Sequence, residues 1–186
     1  MAYDPIKAAQ TIAYFAMREG GSINVLKVIK LVYLADREST RLRGHPIQDE
    51  PRFSLPHGPV NSTTLDHLNG AYRDNQPVWQ KVLRDRADNK VGLASDDLTE
   101  DELDMLSKRE LSILKEVWDA VGHMDGFELA DWTHMPENVA EWQEPNGSRL
   151  PISLERMMAA VGLDHPIERA REQTSLKDAQ NILASL

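Results

Sequence analysis

Residues 22–60 read SINVLKVIKLVYLADRESTRLRGHPIQDEPRFSLPHGPV, and this stretch decides the fold. Val25, Leu26, Val28, Ile29, Leu31, Val32, Tyr33, Leu34 and Ala35 surround most of the circumference of one helix that begins near Ser22 or Asn24. A helix that is apolar on nearly all sides is a buried one. Asp36-Arg37-Glu38 turns it polar, Gly44 stops it, and Pro46 stands just beyond. Phe53-Ser54-Leu55 reads as a short extended run, made irregular and placed at a sheet edge by Pro51, Pro56 and Pro59. The run closes on His57-Gly58-Pro59-Val60, where Gly58 admits backbone angles that other residues avoid and Pro59 fixes the next φ.

Upstream, Asp4 is a good N-cap and Pro5 a favoured first helical residue. Ile6, Ala9, Ile12, Ala13 and Ala16 recur at helical spacing, and Gly20-Gly21 ends that helix. Downstream, a modest helix over 61–69 precedes two runs, 78–83 and 90–93, that flank a polar turn and read as a hairpin. Thr99 with Glu102, and Ser107 with Glu110, have capping-box spacing. The second box opens a helix with Leu111, Leu114, Val117, Trp118 and Val121 on one face and Gly122 as its stop. At that spacing Trp118 belongs to the core. A short helix over 126–134 is capped by Asp125, and Ser153 caps another that ends at Gly162. The last 24 residues form an amphipathic, charged helical tail.

Composition narrows the function classes. The 186 residues include no cysteine, which excludes disulfides, thiolate zinc sites and cysteine nucleophiles. The first ten residues lack a basic run followed by an apolar one, and Lys27, Lys30 and Asp36 break the longest apolar runs, so a cytoplasmic protein with no membrane span is expected. The net charge of −9 is unevenly placed. Residues 96–144 carry 15 acidic and 3 basic side chains, while residues 1–95 carry 10 acidic and 13 basic. Such a block is either a solvated face or a docking surface for a basic partner, with Asp101, Glu102 and Asp104 the natural residues to reverse. Neither a G-x-S-x-G elbow nor a glycine-rich phosphate loop occurs, and the six histidines show no tight ligand spacing. No catalytic residue, cofactor or metal is therefore expected. Lys27, Lys30, Arg37 and Arg41 share one helix face, a stripe that either touches phosphates, as in a helix-turn-helix regulator of DNA, or pairs with Asp36, Glu38 and the acidic block.

Several pieces occur in a fixed order: Lys27-Val28-Ile29-Lys30-Leu31-Val32-Tyr33-Leu34-Ala35, Gly44-His45-Pro46-Ile47, Phe53, His57-Gly58-Pro59-Val60, Leu129 to His134, Trp142, and Pro151-Ile152. Each is common alone. As an ordered set over residues 5–162 they resemble the Panacea domain, the SocA-like antitoxin family of toxin–antitoxin systems. Leu34 stands where the family often has a second tyrosine, and the segment before Gly58 lacks its usual aromatic or basic residue, His57 partly replacing it. The resemblance implies an antitoxin that binds and neutralises a cognate toxin encoded in the adjacent gene, some members acting as adaptors for an ATP-dependent protease. It implies no chemistry of its own.

The expected architecture is mainly α, with a small β-hairpin: a compact single helical domain around a buried central helix over residues 1–162, then the tail over 163–186. The family-motif positions and candidate partner-binding residues are Lys27, Lys30, Tyr33, His57, Gly58, Pro59, Val60, Trp132, His134 and Trp142. For the 57–60 turn the structural alternative is that it only starts the next helix. For His134 it is a hydrogen-bonded residue ending its helix. Trp132 and Trp142, in short acidic elements, are the better interface candidates among the tryptophans.

Overall fold

The computed structural model describes residues 3–72 and 76–184. Asp4 opens α1 (Pro5–Arg18), its carboxylate accepting from the Ile6 and Lys7 amides. Residues 22–24, read as the start of the central helix, instead form strand β1 (Ser22–Asn24). The chain turns helical only at Val25, because Asn24 is the N-cap of α2 (Val25–Arg43). Gly44 ends α2 in the left-handed region, with φ 77°.

Four strands follow at intervals. β2 (Arg52–Leu55) and β3 (Gly58–Asn61) form a hairpin across the two-residue turn Pro56-His57. Next come α3 (Ser62–Leu68), a single helical turn α4 (Gln76–Trp79) and β4 (Lys90–Gly92). After a 3₁₀ turn at Glu100–Glu102, α5 (Lys108–Val121) and α6 (Gly126–His134) each begin with a complete capping box. The chain closes with β5 (Leu150–Ile152), α7 (Leu154–Ala160) and α8 (Pro166–Ala184). The fold is mainly α with small antiparallel sheets.

Two strand expectations are corrected. The run 52–55 is not an edge: β2 is the middle strand, with β3 on one side and β5 on the other. The prolines sit where a missing N–H does least harm, Pro59 and Pro151 in the two outer strands. The hairpin over 78–93 is only fragmentary, because residues 76–79 are helical and β4 pairs chiefly with β1. Single bridges at Leu83–Leu93 and Ala87–Lys90 are what remains of it.

The core sits around α2, which packs against α1, α5, α6 and β3. Beside Ile29, Leu31 and Tyr33, this helix also buries Asp36, whose carboxylate ties it to the chain that follows. Asp36 accepts from the Ile47 and Gln48 amides at 2.9 and 3.0 Å, from Arg52 Nη2 at 3.1 Å and from Asn61 Nδ2 at 2.8 Å. Glu50 extends the network, accepting from Asn61 Nδ2, the Thr64 amide and Thr64 Oγ1. Burial raises the Asp36 carboxyl above its usual range and pushes Glu50 up to about 7 against the hydrogen bonds from Thr64. The network fixes the sheet to the central helix.

α8 differs from the expected amphipathic tail. Ile167, Leu176, Ile182 and Leu183 are all exposed, and Ala170 is its one buried residue among those described. A hydrogen bond from the Gln173 amide to the Gly44 carbonyl holds α8 over the end of α2. Among the described residues no helix is long and apolar enough to cross a membrane.

Candidate partner-binding site

Several of the scattered motif residues meet at the β2–β3 hairpin. The turn needs a glycine after His57, because Gly58 has φ +94° and a Cβ there would lie 2.4 Å from Thr133 Oγ1 and 3.2 Å from Lys30 Nζ. The carbonyls on either side of the tip are each held from outside the hairpin. Lys30 Nζ, from α2, donates to the Pro59 carbonyl at 2.9 Å. Trp142 Nε1 donates to the Leu55 carbonyl at 3.1 Å. The Trp142 ring also stacks on His134, with centroids 4.2 Å apart. Thr133 and His134 come from the last turn of α6, so one short helix supplies both the close neighbour of Gly58 and the ring under Trp142.

Lys30 is 1% exposed, and burial pushes its ammonium down to about 7. Burial likewise lowers His134, and the positive charge of Lys30 adds to this. Among the described residues His134 Nε2 is buried without a hydrogen-bond partner, and the ring is held by its stack on Trp142.

Beside the hairpin lies an open groove of about 670 Å³ between α2, the β2–β3 turn, α3 and the start of α6. Its apolar lining includes Leu26, Ile29, Leu55, Val60, Leu65 and Phe127. Of the residues singled out in the sequence, Lys27, Lys30, His57 and Val60 line it. Gly58, Pro59, His134 and Trp142 support its wall. Tyr33 lies elsewhere, buried and donating to Glu141 Oε1 at 2.8 Å, with its hydroxyl kept well above its ordinary pKa by burial and by the Glu141 charge. Trp132 is half-buried against the core. Trp118, read as core, is half-buried too, packed near Phe15 and under the Lys27 ammonium.

Phe127 escaped the sequence reading. It is 72% exposed on a groove wall. A signal existed: Leu129, Ala130 and Thr133 mark the inward face of α6, and Phe127 is off that face.

The basic stripe on α2 is occupied by partners within the chain. Lys27 is buried, donating to Glu19 Oε2 and to the Gly122 carbonyl. Lys30 is buried as described. Arg37 donates to Glu141 at 2.8 Å and Arg41 pairs with Glu38, so pairing with neighbouring acids accounts for both. The acidic block is also less uniform than its count suggests. Glu110 and Glu141 are interior struts, Glu110 being held by Lys7 and Arg43 and kept at about 2 by hydrogen bonds that outweigh its burial.

A family model described as "Antitoxin SocA-like, Panacea domain" matches residues 28–143. No curated protein and no solved structure matches the chain. The matched segment runs from α2 through Trp142 and so contains the hairpin, both donors that hold the hairpin tip and most of the groove's lining. This chain belongs to the SocA-like antitoxin family of Panacea-domain proteins.

Proposed function

We propose that this protein is an antitoxin that neutralises a cognate toxin by direct protein–protein binding, the toxin being the product of the adjacent gene. The observation that carries the reading is the convergence of distant family residues on one hairpin wall beside an open apolar groove. A wall held by donors from α2 and from Trp142 is a rigid surface, and rigid apolar hollows are where partner side chains bind with least ordering cost. The reading is non-enzymatic. The working unit spans residues 1–162, because α1 is as deeply packed as the matched segment, and α8 is an appended helix.

The test is growth rescue. The adjacent gene is induced with and without this protein. A neighbour that arrests growth alone and is harmless with this chain supports the reading. A harmless neighbour, or one that stays toxic, overturns it. The half-life of the toxin in the rescued cells then separates simple blocking from delivery to an ATP-dependent protease.

A further inference from the structure

We propose that the groove beside the hairpin receives a segment of the toxin that carries an apolar side chain flanked by lysine or arginine. This inference rests on the antitoxin reading above and adds the chemistry of the contact.

Phe127 supplies the first argument. It is the only one of the three phenylalanines left largely in water, and it stands on the wall of an apolar hollow. An exposed aromatic ring next to an apolar depression marks an interaction surface, because the pair offers one anchor and one socket.

Charge supplies the second. Residues 116–134 contain five acidic side chains and no lysine or arginine. All five, Glu116, Asp119, Asp125, Glu128 and Asp131, are exposed. Glu116 and Asp119 belong to α5 and face Arg41 and Lys115, whereas Asp125, Glu128 and Asp131 stand around Phe127 at α6 with no ion pair among the described residues, and Asp125 lines the groove. Asp131 lies one helical turn beyond Phe127, on the same face of α6. Of the groove's cations, Lys27 is engaged by Glu19 and Lys30 is buried at the Pro59 carbonyl, while Arg86 on the far rim, bonded to the neutral side chains of Asn69 and Asn89, keeps its charge, so the acidic side of the groove is its α6 edge.

An apolar floor with an acidic edge along α6 fits a cationic segment with an apolar anchor. It repels nucleic acid, whose phosphates would face the same carboxylates. A second copy of this chain, itself at −9, fits poorly for the same reason.

The probe is a fluorescein-labelled, amide-capped hexapeptide of sequence KRLLKR, titrated into the full chain at low salt. Two control peptides replace either the four cations by glutamate or the two leucines by serine. The KRLLKR peptide is expected to bind, with both controls at least fivefold weaker. Phe127→Ser and Asp131→Lys should each weaken it at least fivefold. Both residues are exposed, so neither change threatens folding. Equal binding of the glutamate peptide, or unchanged binding by Phe127→Ser, overturns the inference. So does a dimer that Phe127→Ser converts to monomers, since a second copy would then fill the groove. Growth rescue separates the two claims. Rescue by the wild type and loss of rescue by Phe127→Ser and Asp131→Lys supports the groove. Equal rescue by all three removes the groove inference and leaves the antitoxin reading standing. Failure of the wild type removes both.

Discussion

α2 and α8 are each 19 residues long, yet one is the centre of the molecule and the other lies on its surface. Charge does not separate them, since α2 carries seven ionisable Lys, Arg, Asp and Glu residues and α8 carries six. Two other properties do. The apolar residues of α2 run nearly without interruption from Val25 to Ala35, whereas those of α8 are scattered and mark no single face. The inward charges of α2 also have partners waiting: Glu19 for Lys27, the Pro59 carbonyl for Lys30, Arg52 and Asn61 for Asp36. A helix can be buried with its charges if each one arrives at a prepared acceptor or donor.

The comparison is broken most severely at Asp36. Asp36→Ala removes one carboxylate and leaves Arg52 buried and uncompensated, which should cost about 3–5 kcal/mol. Urea unfolding at pH 7 reads this as a lowered midpoint with an unchanged slope. Gly58→Ala comes next. It forces an L side chain into a positive φ and drives a methyl group into Thr133, a loss of roughly 1–3 kcal/mol by the same measurement.

The third prediction concerns pH, and the two buried groups act in opposite senses. Glu50 titrates at about 7 in the folded chain instead of its usual 4.5, so the native state holds a proton that the unfolded state has lost. Its contribution is largest at low pH and declines as pH rises from about 4.5 to 7. Lys30 titrates at about 7 instead of 10.5, so the unfolded state holds the extra proton and stability rises from about pH 7 upward. Each slope is at most about 1.4 kcal/mol per pH unit. Glu50→Gln should flatten the acid side of the stability profile, and Lys30→Met the alkaline side. An unchanged profile in either variant contradicts the assignment for that residue.

The smallest effects belong to α8. Gln173→Ala should cost about 0.5–1.5 kcal/mol through its bond to Gly44. Leu183→Ser should change stability by no more than about 0.5 kcal/mol. A loss at Leu183 as large as that at Gly58 would mean that α8 is covered in solution, and the contrast with α2 would fail.

Where the chain carried its own punctuation, the sequence was legible. Asp4-Pro5, Ser107 with Glu110, and Asp125 each placed a helix start at the observed residue, because capping is a local interaction. The sheets were not legible in the same way. β2 passed for an edge because its second neighbour, β5, is three residues long and about a hundred residues away. The segment after Ser22 passed for helix because its strand partner lies at Lys90–Gly92. In the candidate site, the family order named Lys30, His57 to Val60, His134 and Trp142, and these do gather at the hairpin. Phe127 and Leu65 were missed because no motif contains them. They line the groove through the angle between α6 and α3, which only the assembled fold defines.

The placement of β5 also sets an order of events. The hairpin of β2 and β3 is local and can close as soon as residue 61 is made. Its other edge stays open until residues 150–152 arrive, and α2 lacks α5 and α6 until residue 134 has been added. Contacts this remote in sequence form late, because the intervening chain must first be brought together. The buried central helix therefore leaves the ribosome long before much of its cover does. Nearly the whole family segment must be made before the wall of the groove is complete, so a chain cut short before Trp142 exposes the apolar side of α2 instead of presenting a weaker form of that wall.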